Sequence, residues 1–426
     1  MADQNKMNTH FDLNGSLLKD YGLGLIDVDW LKNLKKETLA RLKTQNIPSK
    51  KDEEWRYTNI EPLVQKCFEL VAKNSISTLK KNKPFIQKHS DNNIFIYYID
   101  GHFCFVDNLP SYIKTLRNSE DQVMFQTLLN YDVEKIYTPF ADLNTLMLSD
   151  VLMIETLKNQ KIDATVHIII CSDVEQNISP RLLVQLRENS SIRIFEHYLT
   201  SSSCVINSLT DINCEKNSQL DYYKIIDKQD QGYHLSLSNI TLARNSYLNL
   251  FSWDSGANIS RNNIHVDLVE ENASVNLNSL FSPKEKLHVD NQLKIKHLAE
   301  KCESSLDYRG ILQDQSTGVF GGEVYVAQEA RDTQSDMKNR NLLLSDNARI
   351  NTKPVLEIYN EDVQCSHSAT SGCLDNDKLF YIQSRGIEEA DAMNILIQSF
   401  ASEIIEKIKN SQMKRTFQEY LVQKLQ

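Results

Sequence analysis

Near the C-terminal end of the chain stands the run Val363-Gln364-Cys365-Ser366-His367. In an extended strand, side chains alternate with a period of two, so Val363, Cys365 and His367 share one face. A sulfur and an imidazole then project side by side, with Cα atoms roughly 6–7 Å apart. Thiolate and imidazole both suit iron, zinc and iron–sulfur clusters. A closed site needs about four ligands, and this strand supplies two. Whatever the pair binds must therefore be completed from elsewhere.

The elements that hold such a strand are written in a repeat. A small polar corner followed by alternating apolar residues occurs in DATVHI at Asp163, NSSIRI at Asn189, NSQLDY at Asn217, NSYLNL at Asn245 and NASVNL at Asn272. A related corner, NARINT, starts at Asn347 and keeps only its first apolar residue, Ile350. Upstream runs alternate too: Ile212 with Cys214, Ile240 with Leu242, Val266 with Leu268. Two short strands and two corners per ~27 residues describe one coil of a β-solenoid. The alternative is a β-sandwich of regular hairpins, but corner and alternation recurring in register favour the solenoid. Leu220, Leu248 and Val275 should then stack in one buried column. Gly318, Gly321 and Gly322 read as a tight solenoid corner rather than as a dinucleotide fingerprint.

Three regions follow. Residues 1–150 are mixed and partly helical, with Trp30, Leu31, Leu34, Leu39 and Leu42 at helical spacing. The Lys- and Asn-rich span from Lys73 to Asn93 reads as a surface connection. Residues 151–374 form the β-helix, and residues 375–426 a helical end. There Met393, Leu396, Ile397, Phe400, Ile404 and Ile408 make one apolar stripe. Such stripes are usually core; at the end of a solenoid this one is expected to cap the array and offer a docking surface, through Phe400 and Ile404.

Composition narrows the function classes. The chain has 426 residues, 41% of them hydrophobic, and a net charge of −10. That balance argues against nucleic acid as a partner. No run is long enough to span a bilayer and no signal peptide opens the chain, so a cytoplasmic protein is expected. Eight cysteines lie scattered without a C-x-x-C pair; apart from Cys365 and Cys373 they read as buried small hydrophobes. No P-loop, H-E-x-x-H, G-x-S-x-G or EF-hand motif occurs, and no paired-carboxylate site stands out. The chain reads as a non-enzyme. A β-helix carbohydrate-active enzyme would need acidic or basic clusters along a groove, and the repeat positions carry Asn, Ser and apolar residues instead.

One long segment, KPVLEIYNEDVQCSHSATSGCLDNDKLFYIQSRGIEEADAM, closely resembles the C-terminal block of the SufB/SufD family, scaffold subunits of the Suf iron–sulfur cluster assembly system. DEEWRYTNIEPL around Trp55, FADLNTLMLSD from Phe140 and NRNLLLSDNARINTKPVLEI from Asn339 are similar to three further blocks. The family's SufB branch carries a histidine followed by glutamate and alanine in the last block, and often an N-terminal cysteine cluster. Cys365-Ser366-His367 and the scattered cysteines resemble the SufD branch, with Ser368 where the family commonly has glycine. The resemblance implies a right-handed parallel β-helix flanked by N- and C-terminal helical regions. It implies a heterocomplex with SufB and the ATPase SufC, the C-terminal helices holding SufC, and a homodimer when the chain is isolated. His367 matches the histidine at the SufB–SufD interface, where a transient iron–sulfur cluster forms, and Cys365 matches a cysteine beside it. The ligand shortage on this strand and the missing P-loop both fit that picture, in which the alternative role is a purely structural partner of SufB. Flavin binding is not decided by the residues.

Overall fold

The computed structural model describes residues 28–73, 93–99, 101–105, 109–131, 138–172, 175–200, 204–228 and 232–425. The expected connection at 74–92 lies outside them. The protein is mainly β, 47% strand and 23% helix, with a solenoid of about 7 turns and helices at both ends.

Helix α1 (Asp29–Leu42) begins the described chain, followed by α2 (Glu61–Lys73). Leu31, Leu34 and Leu42 are buried, as their spacing predicts. An antiparallel pair, β1 (Ile94–Ile99) and β2 (His102–Phe105), starts one sheet; β3 (Ile113–Thr115) and β4 (Leu152–Glu155) start the other. Between β3 and β4 lie α3 (Gln122–Tyr131) and α4 (Pro139–Leu146). Arg41 of α1 donates to Asp142 of α4 at 2.8 Å, joining the two helices.

From there the chain winds between two parallel sheets. The first stacks β5 (Lys161–Ser172), β8 (Ser191–Thr200), β10 (Gln219–Lys228), β12 (Tyr247–Asp254), β14 (Ser274–Phe281), β16 (Glu303–Leu312), β18 (Thr333–Leu343) and β20 (Val363–Gly372). The second stacks β7 (Arg181–Leu186), β9 (Val205–Cys214), β11 (Tyr233–Leu242), β13 (Ile259–Leu268), β15 (His288–His297), β17 (Thr317–Val326) and β19 (Arg349–Ile358); the short β6 (Asn177–Ile178) also pairs with β9. Leu220, Leu248 and Val275 are register partners, each at most 1% exposed. Stacking identical apolar positions buries surface that no single coil could bury alone.

The corners explain the asparagines. Asn159, Asn189, Asn217, Asn245 and Asn272 all have φ between 55° and 62°, the left-handed region that asparagine tolerates better than other side chains with a Cβ. Their amides form a ladder, each of Asn189, Asn217 and Asn245 donating to the preceding corner asparagine at 2.9 Å. Two expected corners move. The first is Asn159 rather than Asp163, which lies inside β5, where a register shift between Lys161 and Thr165 hides the offset. Asn347 belongs to the opposite row of turns, leading into β19 of the second sheet. The Gly318, Gly321 and Gly322 cluster is no corner either: all three lie within β17. At Gly322 a Cβ would meet Met337 Sδ at 2.5 Å, so glycine there makes room for a core side chain.

Helices α5 (Asn376–Gln383), α6 (Glu389–Ile405) and α7 (Ser411–Leu425) follow the last coil. They do not cap the array. The apolar faces of α6 and α7 lie on the flank of the first sheet, against outward-facing Phe195, Tyr223, Phe251, Trp253 and Leu280. Phe417 sits at the centre, its ring 4.6 Å from Phe251 and 6.1 Å from Tyr223. Buried Asp307 adds an ionic tie, pairing with Lys407 at 2.6 Å and with Arg340 at 2.8 Å.

Candidate functional site at the open coil

Because the helices turn to the flank, the last coil, β19 and β20, is the outer edge of both sheets. Among the described residues each strand bonds a neighbour on one side only, and its other backbone edge is a ready template for another strand. Inward positions that are sealed in earlier coils are open here. Leu356 continues the column Ile240, Val266, Ile295 and Val324 but is only half-buried. Ile358 and Tyr359 beside it are 40% and 62% exposed.

Cys365 and His367 occupy two such positions. Cys365 tops the column Ile192, Leu220, Leu248, Val275, Ser304 and Ser335. His367 tops the adjacent column, directly after Leu306 and fully buried Met337, and is itself exposed. Both therefore share one strand face, as the alternation predicts. Cys365 is half-buried and packs on the solenoid core. Burial pushes its thiol above the ordinary value, opposed by a hydrogen bond with the Ser335 main chain. On the other face of β20, Ser366 donates to Asp336 at 2.8 Å. Burial raises the Asp336 carboxyl, but its bonds from Lys338 and Ser366 outweigh this and hold it below the carboxylate range. A groove of about 510 Å³ crosses the first sheet from Tyr247 of β12 through Asn276, Ser305 and Asp336 to Gln364, Cys365 and Ser366 of β20.

Among the described residues no three His, Cys, Asp or Glu side chains converge as metal ligands. The chemistry of this edge is thus that of a half-site: a soft sulfur and an exposed imidazole, short of ligands and flanked by unpaired backbone. The sequence reading missed Ser304, Ser335 and Met337 beneath the pair. Their signal was available as the positions where the aligned repeat departs from aliphatic residues.

The expected docking residues are placed differently. Ile404 is fully buried in the flank core. Phe400 is half-buried, its ring under the Arg309 guanidinium at 5.3 Å and its carbonyl accepting from Arg309 at 2.7 Å. Both hold α6 to the solenoid and are spent internally. Among the described residues, the large apolar side chains left exposed on these helices are Phe380 and Tyr381 of α5, 72% and 57% exposed, Ile395 of α6, 46%, and Val422 of α7, 44%. Of the cysteines read as core, Cys67, Cys171, Cys204, Cys214 and Cys302 are buried, while Cys104 is half-buried.

The block around Trp55 has a definite task as well. Trp55 lies under the Arg261 guanidinium at 3.7 Å, Arg261 pairs with Asp290 at 2.5 Å, and Thr58 donates to the same carboxylate at 2.5 Å. It clamps the N-terminal region to the outer face of the second sheet.

Comparison with known proteins agrees with this architecture. Residues 169–400 match the family model for the SufBD core domain of the SUF system of FeS cluster assembly. The chain is 26% identical over 389 residues to the iron–sulfur cluster assembly protein SufD of Escherichia coli, covering 88% of this chain and 89% of that one. It is 28% identical over 383 residues to an iron–sulfur cluster assembly SufBD family protein of Synechocystis, covering 85% and 84%. A chloroplastic protein of Arabidopsis thaliana is 26% identical over 410 residues, covering 90% and 84%.

Proposed function

Since the chain belongs to the SufBD core domain family of the SUF system, we propose that it is a non-catalytic scaffold subunit of iron–sulfur cluster assembly. Its open coil pairs with a SufB-type paralogue, and Cys365 and His367 stand beside the nascent cluster, which is cargo rather than a resident cofactor. The observation that carries this reading is the coincidence of two features on β20: an unpaired sheet edge, and a thiol and imidazole too few to close a site. A partner coil stacked on that edge would bury Leu356, Ile358 and Val363 and bring the missing ligands in the same step.

The SufC-type ATPase docks on the C-terminal helices, as the family resemblance implies, through Phe380, Tyr381 and Ile395 in place of Phe400 and Ile404. Exposed aromatic side chains on a helix are the anchors that such contacts use. The complex is cytoplasmic in this reading; among the described residues no helix is long and apolar enough to cross a membrane.

Co-expression with the paralogue and the ATPase, followed by anaerobic reconstitution, tests the assignment. His367→Ala should leave the complex assembled and lower its iron and acid-labile sulfide, because an exposed imidazole is lost without a core change. Cys365→Ser should be milder. Unchanged cluster content in the His367→Ala complex would leave the chain a purely structural partner.

A further inference from the structure

Three polar side chains break the apolar lumen just below the open coil, and they touch one another. Inward positions that are Ile192, Leu220, Leu248 and Val275 in earlier coils become Ser304 and then Ser335. In the facing sheet, Leu242 and Leu268 give way to His297, before Val326 restores the aliphatic column. His297, Ser304 and Ser335 are all at most 4% exposed. Burying three polar groups where aliphatic ones would stack costs free energy unless they are bonded. They are: His297 Nε2 lies 2.9 Å from Ser304 Oγ, and Ser304 Oγ lies 2.9 Å from Ser335 Oγ. Ser335 is the register partner of Cys365, on the same strand face, roughly 4.8 Å away across the sheet.

The chain of bonds has a direction. Among the described residues His297 Nδ1 has no hydrogen-bond partner. A buried N–H without an acceptor is rarer and less tolerable than a bare acceptor nitrogen, so the proton sits on Nε2. Burial keeps the ring neutral, its pKa pushed down to about 4. Nε2–H then donates to Ser304, Ser304 donates to Ser335, and the Ser335 hydroxyl keeps its hydrogen for the next group along.

We propose that His297, acting through Ser304 and Ser335, is a positioning residue that aims a hydroxyl donor at the Cys365 sulfur. A donor held there stabilises negative charge building on sulfur as it attacks an electrophile or approaches a metal. This rests on the reading of Cys365 as a residue of the assembly site, but its test needs neither partner nor iron.

Alkylation of the isolated full chain by iodoacetamide at one fixed pH, followed peptide by peptide in a mass spectrometer, reads the Cys365 rate against exposed Cys373. Ser304→Ala and His297→Leu should each slow Cys365 roughly 3- to 10-fold relative to Cys373, the worth of one hydrogen bond. His297→Gln, which keeps an N–H near the Nε2 position, should restore most of the rate. Should His297→Leu fail to fold, Ser304→Ala alone decides, since it keeps the ring and removes one hydroxyl. An unchanged Cys365 rate, an equal change at Cys373, or no rescue by His297→Gln would overturn the proposal. If the rates move as expected while His367→Ala leaves cluster content normal, the hydrogen-bond chain stands and the cluster reading falls.

Discussion

The sealed middle of the solenoid and its open last coil are built from the same columns and differ in what covers them. In the middle, Leu248 is pressed between Leu220 and Val275, and the outer face of its strand is roofed by α6 and α7. At the end, Leu356 and Cys365 have a coil beneath and, among the described residues, no strand stacked above. The interior thus gains its stability from repetition, while the end keeps the pattern of a core without its burial. Leu356, Ile358, Tyr359 and Val363 stand partly or largely open at this edge, apolar surface of the kind that interaction sites use. In the proposed reading, function sits where the repeat stops being satisfied by itself.

Breaking the roof over the middle should have the largest effect. Phe417 is fully buried among Phe195, Tyr223 and Phe251, so Phe417→Ala should cost about 3–5 kcal/mol, measured by urea unfolding. It follows that the helical end is no detachable cap: removing residues from 375 onward would strip the cover from Trp253 and Phe251. Leu248→Ala in the sealed column should cost about 2–5 kcal/mol by the same measure. A loss under ~1 kcal/mol at either position would show that the columns pack loosely and that the contrast with the open coil is false.

Acid should sharpen the comparison next, because desolvation shifts several histidines of the sealed part. Burial pushes His197, His265 and His297 down to about 4, helped at His265 by Lys294, Lys296 and Arg261. Unfolded, each titrates near 6.5. Between those values the unfolded chain binds protons that the folded chain refuses, so stability is complete above pH 6.5 and falls as pH drops toward 4. His297→Gln should remove one share of this loss, on the order of 2 kcal/mol by pH 5. Parallel acid curves for His297→Gln and the parent would place His297 in water rather than in the lumen.

How much of this was legible in the residues depends on whether local physics decided it. The corners were readable because a left-handed φ selects asparagine, and because apolar alternation states which face is inside. The later corners of that row were not, since Lys301 and Asp332 take the positive φ there without the asparagine signature. The stripe through Phe400 and Ile404 was correctly read as apolar, but periodicity says only that a face wants cover, not which surface supplies it. The Cys365/His367 pair was visible because two residues on one strand suffice to see it. The chain of His297, Ser304 and Ser335 was not, because its members lie on three different strands and meet only once the coils are stacked.

The smallest effect in the isolated chain should come from the open end itself. Leu356→Ala removes the same number of atoms as Leu248→Ala from an equivalent inward position. Part of that side chain already faces water, so less transfer free energy is lost, and a truncated side chain at an edge leaves no enclosed cavity. The expected cost is below about 1 kcal/mol in urea unfolding of the chain alone. In complex with the paralogue the same side chain would lie between two coils, like Leu248, and its loss should weaken co-purification well beyond its effect on folding. A large cost in the isolated chain would mean that β19 and β20 are already covered, by a second copy or by the chain's own residues. A small cost in both settings would mean that the partner stacks elsewhere, and with it would go the argument that Cys365 and His367 stand at a joint between subunits.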